Sequence, residues 1–282
     1  MKSVTRDTVV GALGAARMAP YLFAADSNKK RALALYRWSV ELGASVQETL
    51  GITEVFVRNA MNDQLQEWNR RETGNPSWLL DAPASPLRGL TQGKRREALR
   101  RAQKSAGNRS IHYPRYGAEI THDDALANTM FGMRKDILPN HDPDAEPEKR
   151  ENKNRVRMWE EALEAAFPYE VDPDGHTTYW RVAHLHLLRN RVSHMDSLLN
   201  VDVLDVIGDA FSLVGSIDPV LEQWLTGTST VKKIYSSRPP VERGKAYRRK
   251  LSCRPFLTHS EGPCPHFLYF HFTLGKIQRK LP

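Results

Sequence analysis

Apolar residues between positions 29 and 72 recur every three or four residues, and this pattern constrains the fold more than any other feature of the chain. Such spacing places them on one face of an α-helix, whereas a half-buried strand would alternate at every second position. Gly51 interrupts the pattern near its middle. We therefore predict two helices that meet near Gly51. The apolar positions are Leu33, Leu35, Tyr36, Trp38, Val40, Leu42, Val46, Leu50, Val55, Phe56, Val57, Met61, Leu65 and Trp68.

Helical spacing continues along the rest of the chain. Clusters of turn-forming residues separate the helical segments, and Thr121 is a suitable N-cap for one of them. There is no series of strand-like segments and no internal repeat, so the sequence predicts an all-α fold. The further helices are predicted at 93–106, 122–137, 148–167, 177–195 and 201–225, with a loop at 74–92.

The net charge of +8 is unevenly distributed. From Thr230 onward there are 12 Lys and Arg against 2 Asp and Glu, which leaves 29 basic and 31 acidic residues before that point. The basic character belongs to the C-terminal part, and overall charge does not predict nucleic-acid binding by the body. We predict a helical domain at 1–226 and a basic tail at 227–282, which is either poorly ordered or non-native sequence.

The positions of the cysteines and the lengths of the apolar runs indicate where in the cell the protein is expected. Cys253 and Cys264 both lie near the C-terminus, so disulfides cannot staple the main body. No apolar run approaches the roughly 20 residues of a membrane span, and the N-terminus does not resemble a signal peptide. We expect a cytoplasmic protein without a membrane partner.

The segment 189–194 (RNRVSH), in the predicted helix 177–195, concentrates residue types that can act on a phosphodiester. On a helical wheel, Asn190 and His194 lie opposite the apolar face of this helix, and Arg189 and Arg191 flank them. An amide and an imidazole between two guanidinium groups indicate a catalytic site. By chemistry alone, a solvated helix face without function is the simpler explanation of the same residues.

Three blocks carry a resemblance to a known family. The segment RNRVSH resembles the Arg-x4–6-His motif of HEPN-fold proteins. The blocks 35–38 (LYRW) and 54–60 (EVFVRNA) resemble the opening helices of the Abi-like (abortive infection) family, and 131–133 (FGM) is similar to its central segment. The resemblance spans about residues 30–200 and includes neither the basic region 93–116 nor the tail.

The resemblance implies an all-α, HEPN-like helical bundle that forms a homodimer, in which the motif helices of two protomers face one another. Many such proteins are metal-independent endoribonucleases of phage-defence or toxin systems. An antitoxin or a phage-derived trigger is then a further partner. Other members have lost activity, so a catalytically silent module that binds RNA or a protein is the alternative, and a plain helical scaffold is a third interpretation.

The chemistry that the resemblance implies starts with attack of a ribose 2′-OH on the adjacent phosphorus. His194 acts as general base or acid, because histidine titrates near neutral pH. Arg189 offsets the negative charge that develops on the phosphoryl oxygens. Asn190 orients the phosphate or the imidazole, and Arg191 contacts a flanking phosphate. Such a reaction uses no cofactor and leaves DNA uncut.

Glu54, Arg58 and Asn59 form a polar group on an otherwise apolar helix. By resemblance they support the site from inside the bundle. A simple ion pair between Glu54 and Arg58, which are four residues apart, explains two of them without any function.

The predicted helix 93–106 carries a run of cations that is a candidate RNA-binding surface. The two tyrosines Tyr113 and Tyr116 follow it and are suited to stacking on bases. A solvated helix face is the simpler explanation of such a run. The residues proposed for RNA binding are Arg95, Arg96, Arg100, Arg101 and Lys104.

A metal site is not expected. His184 and His186 point about 160° apart on the helical wheel, and their helix provides no carboxylate or cysteine to complete a ligand set. The spacing of Cys253 and Cys264 with the two histidines near them matches no standard zinc finger.

Overall fold

The computed structural model describes residues 3–240, and these residues form helices and no strand, which confirms the predicted all-α class. The helices are α1 (Ser3–Leu13), α2 (Ala15–Ala24), α3 (Lys29–Thr73), α4 (Leu87–Gly107), α5 (His122–Ala127), α6 (Gly132–Lys135), α7 (Arg150–Glu161), α8 (His176–Ser193), α9 (Val203–Ile217), α10 (Pro219–Thr228) and α11 (Val231–Ser236). A short 3₁₀ helix at Leu163–Ala166 follows α7.

The helix α3 is the central element, and α2, α8, α9 and α11 pack against it. It runs for 45 residues without a break, so the prediction of two helices meeting near Gly51 is wrong. Buried side chains continue on both sides of the glycine, with Leu50 before it and Val57 after it. Packing along the whole apolar face outweighs the roughly 1 kcal/mol that glycine costs inside a helix.

Several other helix boundaries differ from the predicted ones. The helix α4 begins at Leu87, inside the predicted loop 74–92. The predicted helix 122–137 is divided into α5 and α6, and 201–225 is divided at Asp218, which caps α10. The N-cap at Thr121 is confirmed: it forms a capping box with Asp124, in which each side chain binds the backbone N–H of the other residue.

Within the described residues, the compact unit continues beyond the boundary predicted at residue 226, as far as residue 240. The indole N–H of Trp38 donates to the carbonyl of Ile234 at 2.9 Å, and Val231 is buried. The hydroxyl groups of Ser45 and Thr230 are 2.9 Å apart. These contacts hold α11 against α3. The predicted tail was 227–282. Its remaining residues, 241–282, lie outside the part of the chain that the structure describes.

The N-terminal helices α1 and α2 had no counterpart among the predicted elements, and they complete the bundle around α3. Met18 and Tyr21 of α2 are buried, and the hydroxyl of Tyr21 donates to Ser39 of α3 at 3.0 Å. Within residues 3–240, no helix is both long and apolar enough to cross a lipid bilayer.

Candidate functional site

The predicted motif lies at the C-terminal end of α8, a helix whose N-terminal end is fixed by a buried aspartate. Asp172 is 5% exposed, and its carboxylate accepts hydrogen bonds from the backbone N–H groups of Thr177 at 3.1 Å and Thr178 at 2.8 Å. These bonds satisfy two of the free donors in the first turn. Packing of α8 against α3, α6 and α9 then sets the position of the motif.

The helix α8 ends at Ser193, and His194 is its C-cap residue. The prediction that the helix continues to Met195 is wrong, because Met195 has a φ of +53° and the chain turns there. The N–H of Asp196 donates to the carbonyl of Arg191 at 2.9 Å, which is the hydrogen bond of a Schellman motif. His194 therefore lies just beyond the last helical turn.

The four predicted motif residues have different surroundings. Arg189 and Asn190 are half-buried, whereas Arg191 and His194 are exposed. The Nε atom of Arg189 is buried and has no hydrogen-bond partner among residues 3–240. The backbone N–H of His194 donates to the carbonyl of Asn190 at 3.0 Å. The arginine and the amide are thus held in the protein surface, and the histidine faces solvent at the end of the helix.

A second histidine lies next to the amide of the motif. His186 is one helical turn before Asn190, and its Nε2 atom is 3.4 Å from Asn190 Nδ2. The ring also approaches α6, because a Cβ atom on Gly132 would lie 3.3 Å from His186 Nε2. The Phe131 ring is 6.2 Å from the imidazole, centroid to centroid. Sequence reasoning did not select His186 for the site, although its i,i+4 spacing from Asn190 was a usable signal.

The charges around His186 are positive. Burial lowers the pKa of its imidazole, and the nearby charges of Lys135, Arg189 and Lys94 lower it further. Lys94 has its own partner, because its ammonium pairs with the carboxylate of Asp136. The Lys135 ammonium lies over the Tyr179 ring at 5.7 Å from the centroid. The imidazole is therefore held neutral at pH 7 in an electropositive environment.

The predicted supporting residues Glu54 and Arg58 act on a buried arginine that sequence reasoning missed. Arg134 of α6 is 4% exposed and donates to the carbonyl of Met130 at 2.8 Å. Burial lowers the pKa of Arg134 to about 10, while Glu54 raises it and Arg58 lowers it. Asn59 is exposed. A buried arginine has no sequence signature, so only the structure identifies it.

Glu54 and Arg58 do not form the local ion pair that was the alternative explanation for these two residues. Both side chains are half-buried, and within the described residues no ion pair joins them. Arg58 instead has its Nε atom 3.5 Å from the amide oxygen of the adjacent Asn59. Glu54 is thus available to balance the charge of Arg134.

Much of the positive charge on α4 is already paired. Arg100 and Arg101 both donate to the carboxylate of Glu97, and the hydrogen bond from Arg100 is the main reason that the pKa of Glu97 falls to about 2. This cluster lies on the helix surface, where such pairs contribute little to stability.

The other α4 cations differ in their exposure. Arg95 is half-buried and donates to the backbone carbonyl of Asp81, and burial lowers its pKa. Arg96 and Lys104 are exposed. The five residues proposed for RNA binding therefore do not form a uniformly free cationic surface.

A groove of about 190 Å³ lies between α2, α3 and the segment that follows α8. The Arg17 guanidinium donates to the carbonyl of Met195 at 2.6 Å and thereby joins α2 to this segment. The groove has a largely apolar lining that includes Val40, Gly43, Val192, Met195 and Leu198.

Between residues 3 and 240, no group of three or more His, Cys, Asp or Glu side chains is arranged to hold a metal ion. The cysteines and histidines near positions 253–266 lie outside this region. In comparisons with known proteins, no protein family, no curated protein and no solved structure matches the chain.

Proposed function

We propose that this protein is a metal-independent endoribonuclease of a phage-defence (abortive infection) or toxin-type system, with an Abi-like HEPN fold. The observation that carries the proposal is Arg189, which lies next to Asn190 and has a buried Nε donor with no hydrogen-bond partner within residues 3–240. An arginine with an unused donor is suited to a phosphate group. The exposed imidazole of His194 lies one turn further on, at the end of the same helix.

The reaction is an internal displacement at phosphorus. The ribose 2′-oxygen forms a bond to the adjacent phosphorus as the bond to the 5′-oxygen breaks, which leaves a 2′,3′-cyclic phosphate and a 5′-OH. His194 accepts the proton of the 2′-OH or donates one to the leaving 5′-oxygen. Arg189 stabilises the charge on the phosphoryl oxygens. Asn190 orients the group, and Arg191 binds a flanking phosphate.

The homodimer is part of this proposal, because two motif helices facing each other would supply both an acid and a base. Two exposed apolar side chains near the end of α8 support it: Leu187 is 61% exposed and Met195 is 58% exposed. Their burial in a dimer would remove apolar surface from water. The proposal also includes a cytoplasmic location and control by an antitoxin or a phage-derived trigger.

A catalytically silent HEPN module that binds RNA or a partner protein is the second candidate. The position of His194 favours it. The imidazole is exposed, and no hydrogen bond from another side chain orients it within the part of the chain that the structure describes. A general base is usually oriented by a neighbouring group, although such contacts often form only when substrate binds.

The test is digestion of mixed cellular RNA and of single-stranded DNA by the full chain in excess EDTA. We expect the wild-type protein to cut RNA and to leave DNA intact, and we expect His194→Ala to cut neither. His112→Ala is a matched control, since His112 is an exposed histidine outside the motif, and it should cut like the wild type. Efficient cleavage of DNA, or full RNA cleavage by His194→Ala, contradicts the mechanism. If no variant cuts RNA but all bind it, the silent module replaces the enzyme.

A further inference from the structure

We propose that His186, Lys135 and Arg189 form an oxyanion subsite, which binds a phosphate of the RNA substrate beside the catalytic motif. This inference rests on the proposed function for the identity of the anion, but it does not rest on cleavage. It adds a residue from α6 and an upstream histidine of α8 to the site. Asn190 is the positioning residue of the subsite, because its amide contacts the imidazole.

The first support is the contact between the amide and the imidazole. If Asn190 Nδ2 donates to His186 Nε2 across 3.4 Å, the neutral ring carries its proton on Nδ1. The ring then has one N–H donor left for a ligand. The half-buried position of His186 restricts the ring, so this donor is available without much loss of side-chain freedom.

The second support is charge. The charges that lower the pKa of His186, in addition to burial, are those of three cations, and no carboxylate of the described residues offsets them. Lys94 is compensated by Asp136, but Arg189 retains a buried Nε atom without a hydrogen-bond partner in the described residues. Lys135 is half-buried and close to an aromatic face rather than to a carboxylate. Lys135 and Arg189 thus have no carboxylate partner among residues 3–240, and two such cations beside the imidazole favour the binding of an anion.

The third support is space. Glycine at position 132 leaves room between the α6 backbone and the imidazole, because a Cβ atom there would lie 3.3 Å from His186 Nε2, which is closer than most such contacts. An alanine at this position would crowd the ring and change its position without removing any charge. Gly132→Ala is therefore a sharp perturbation of the subsite.

A phosphate in this position would occupy the same end of α8 as the proposed catalytic residues. It would hold the RNA backbone, and the Arg189 guanidinium, which has several donors, would bridge this phosphate and the neighbouring phosphodiester that reacts at His194. The subsite therefore binds the RNA and aligns its backbone with the catalytic residues, and it takes no proton from the substrate. Free inorganic phosphate shares the recognised chemistry, so the experiment has to separate it from an RNA phosphate.

The test follows the imidazole signals of the full chain by NMR during titration with inorganic phosphate. His186→Gln assigns the His186 signals. We expect phosphate to shift these signals and to raise the pKa of His186, because an anion favours the imidazolium. Lys135→Gln should weaken phosphate binding by about tenfold, the effect of losing one charge-assisted contact. Gly132→Ala should also weaken it, because the added methyl group crowds the His186 ring and displaces it. Lys153→Gln and Gly89→Ala are the matched controls, since Lys153 pairs with Glu148 and a Cβ at Gly89 meets nothing within 4 Å.

The second arm uses an RNA oligonucleotide with 2′-O-methyl riboses, which cannot be cut by 2′-OH attack. We expect it to displace inorganic phosphate and to shift the same signals. If phosphate leaves the His186 signals unchanged, the subsite is refuted even where the protein cleaves RNA. If phosphate binds there but the oligonucleotide does not displace it, the assignment to an RNA phosphate is refuted. If phosphate and the oligonucleotide both bind but the protein cleaves no RNA, the result supports the subsite and contradicts the proposal of an endoribonuclease.

Discussion

Replacement of Gly51 by alanine tests whether α3 is one continuous helix. Gly51 lies in the interior of this helix, and a Cβ atom there would meet no other atom within 4 Å. The new methyl group therefore causes no clash. Alanine in a helix interior is more favourable than glycine by about 1 kcal/mol. We expect Gly51→Ala to raise the free energy of unfolding by about that amount, or Tm by roughly 2–4 °C.

The matched control is Gly74→Ala at the C-cap of the same helix. Gly74 has a φ of +79°, in the left-handed region, and its N–H donates to the carbonyl of Arg70 at 2.9 Å. A side chain in this conformation costs about 1–2 kcal/mol. We therefore expect Gly74→Ala to lower the free energy of unfolding, the opposite sign to Gly51→Ala. Both free energies are measured by urea unfolding followed by circular dichroism.

The sign of the Gly51→Ala effect decides between the two structures of this segment. If two helices met near Gly51, the glycine would hold a turn, and alanine would destabilise the protein as it does at Gly74. A lower free energy of unfolding for Gly51→Ala, at an unchanged m-value, would refute the continuous helix. Tm from a thermal scan is an independent check.

Two other predictions concern the acidic cap of α5 and the extent of the compact unit. Burial raises the pKa of Asp124, but hydrogen bonds from Thr121, Arg115 and Arg109 lower it by more, so its pKa lies below the usual range. The carboxylate thus stabilises the fold above about pH 4, and this contribution is lost as pH falls. Asp124→Asn should cost about 1–2 kcal/mol at pH 7 and less at pH 3; an equal cost at both would contradict this reasoning. A chain that ends at residue 226 should lose about 2–4 kcal/mol relative to one ending at 240, because it lacks buried Val231 and the bond to Trp38; equal stability would restore the boundary at 226.

The helical class was predictable from the sequence because apolar spacing reports directly which face of a helix is buried. The N-cap at Thr121 was predictable for a similar reason, since a threonine before a helical segment is a local signal. Gly51 was misread because a local propensity of about 1 kcal/mol does not end a helix that tertiary packing supports on both sides. Contacts between distant segments, such as Trp38 with Ile234, have no local signal at all.

The candidate site was predictable only along α8. Arg189 and Asn190 follow from the motif, and the helical wheel places Asn190 opposite the apolar face with Arg189 to one side of it. Contributions from α6 were not predictable, because the approach of Gly132 to His186 depends on how two helices pack. The burial of Arg134 was not predictable for the same reason. Arginine is rarely buried, and its burial depends on residues that are far away in sequence.

The most direct test of the endoribonuclease proposal is the chemistry of the RNA ends. Cellular RNA incubated with the full chain in EDTA is sequenced by a method that distinguishes 2′,3′-cyclic phosphate from 3′-OH ends. We predict new cyclic phosphate ends paired with 5′-OH ends, formed by the wild-type protein and absent with Arg189→Ala and His194→Ala. New 3′-OH ends with 5′-phosphates, or cyclic phosphate ends that both variants still produce, would contradict 2′-OH attack directed by this motif.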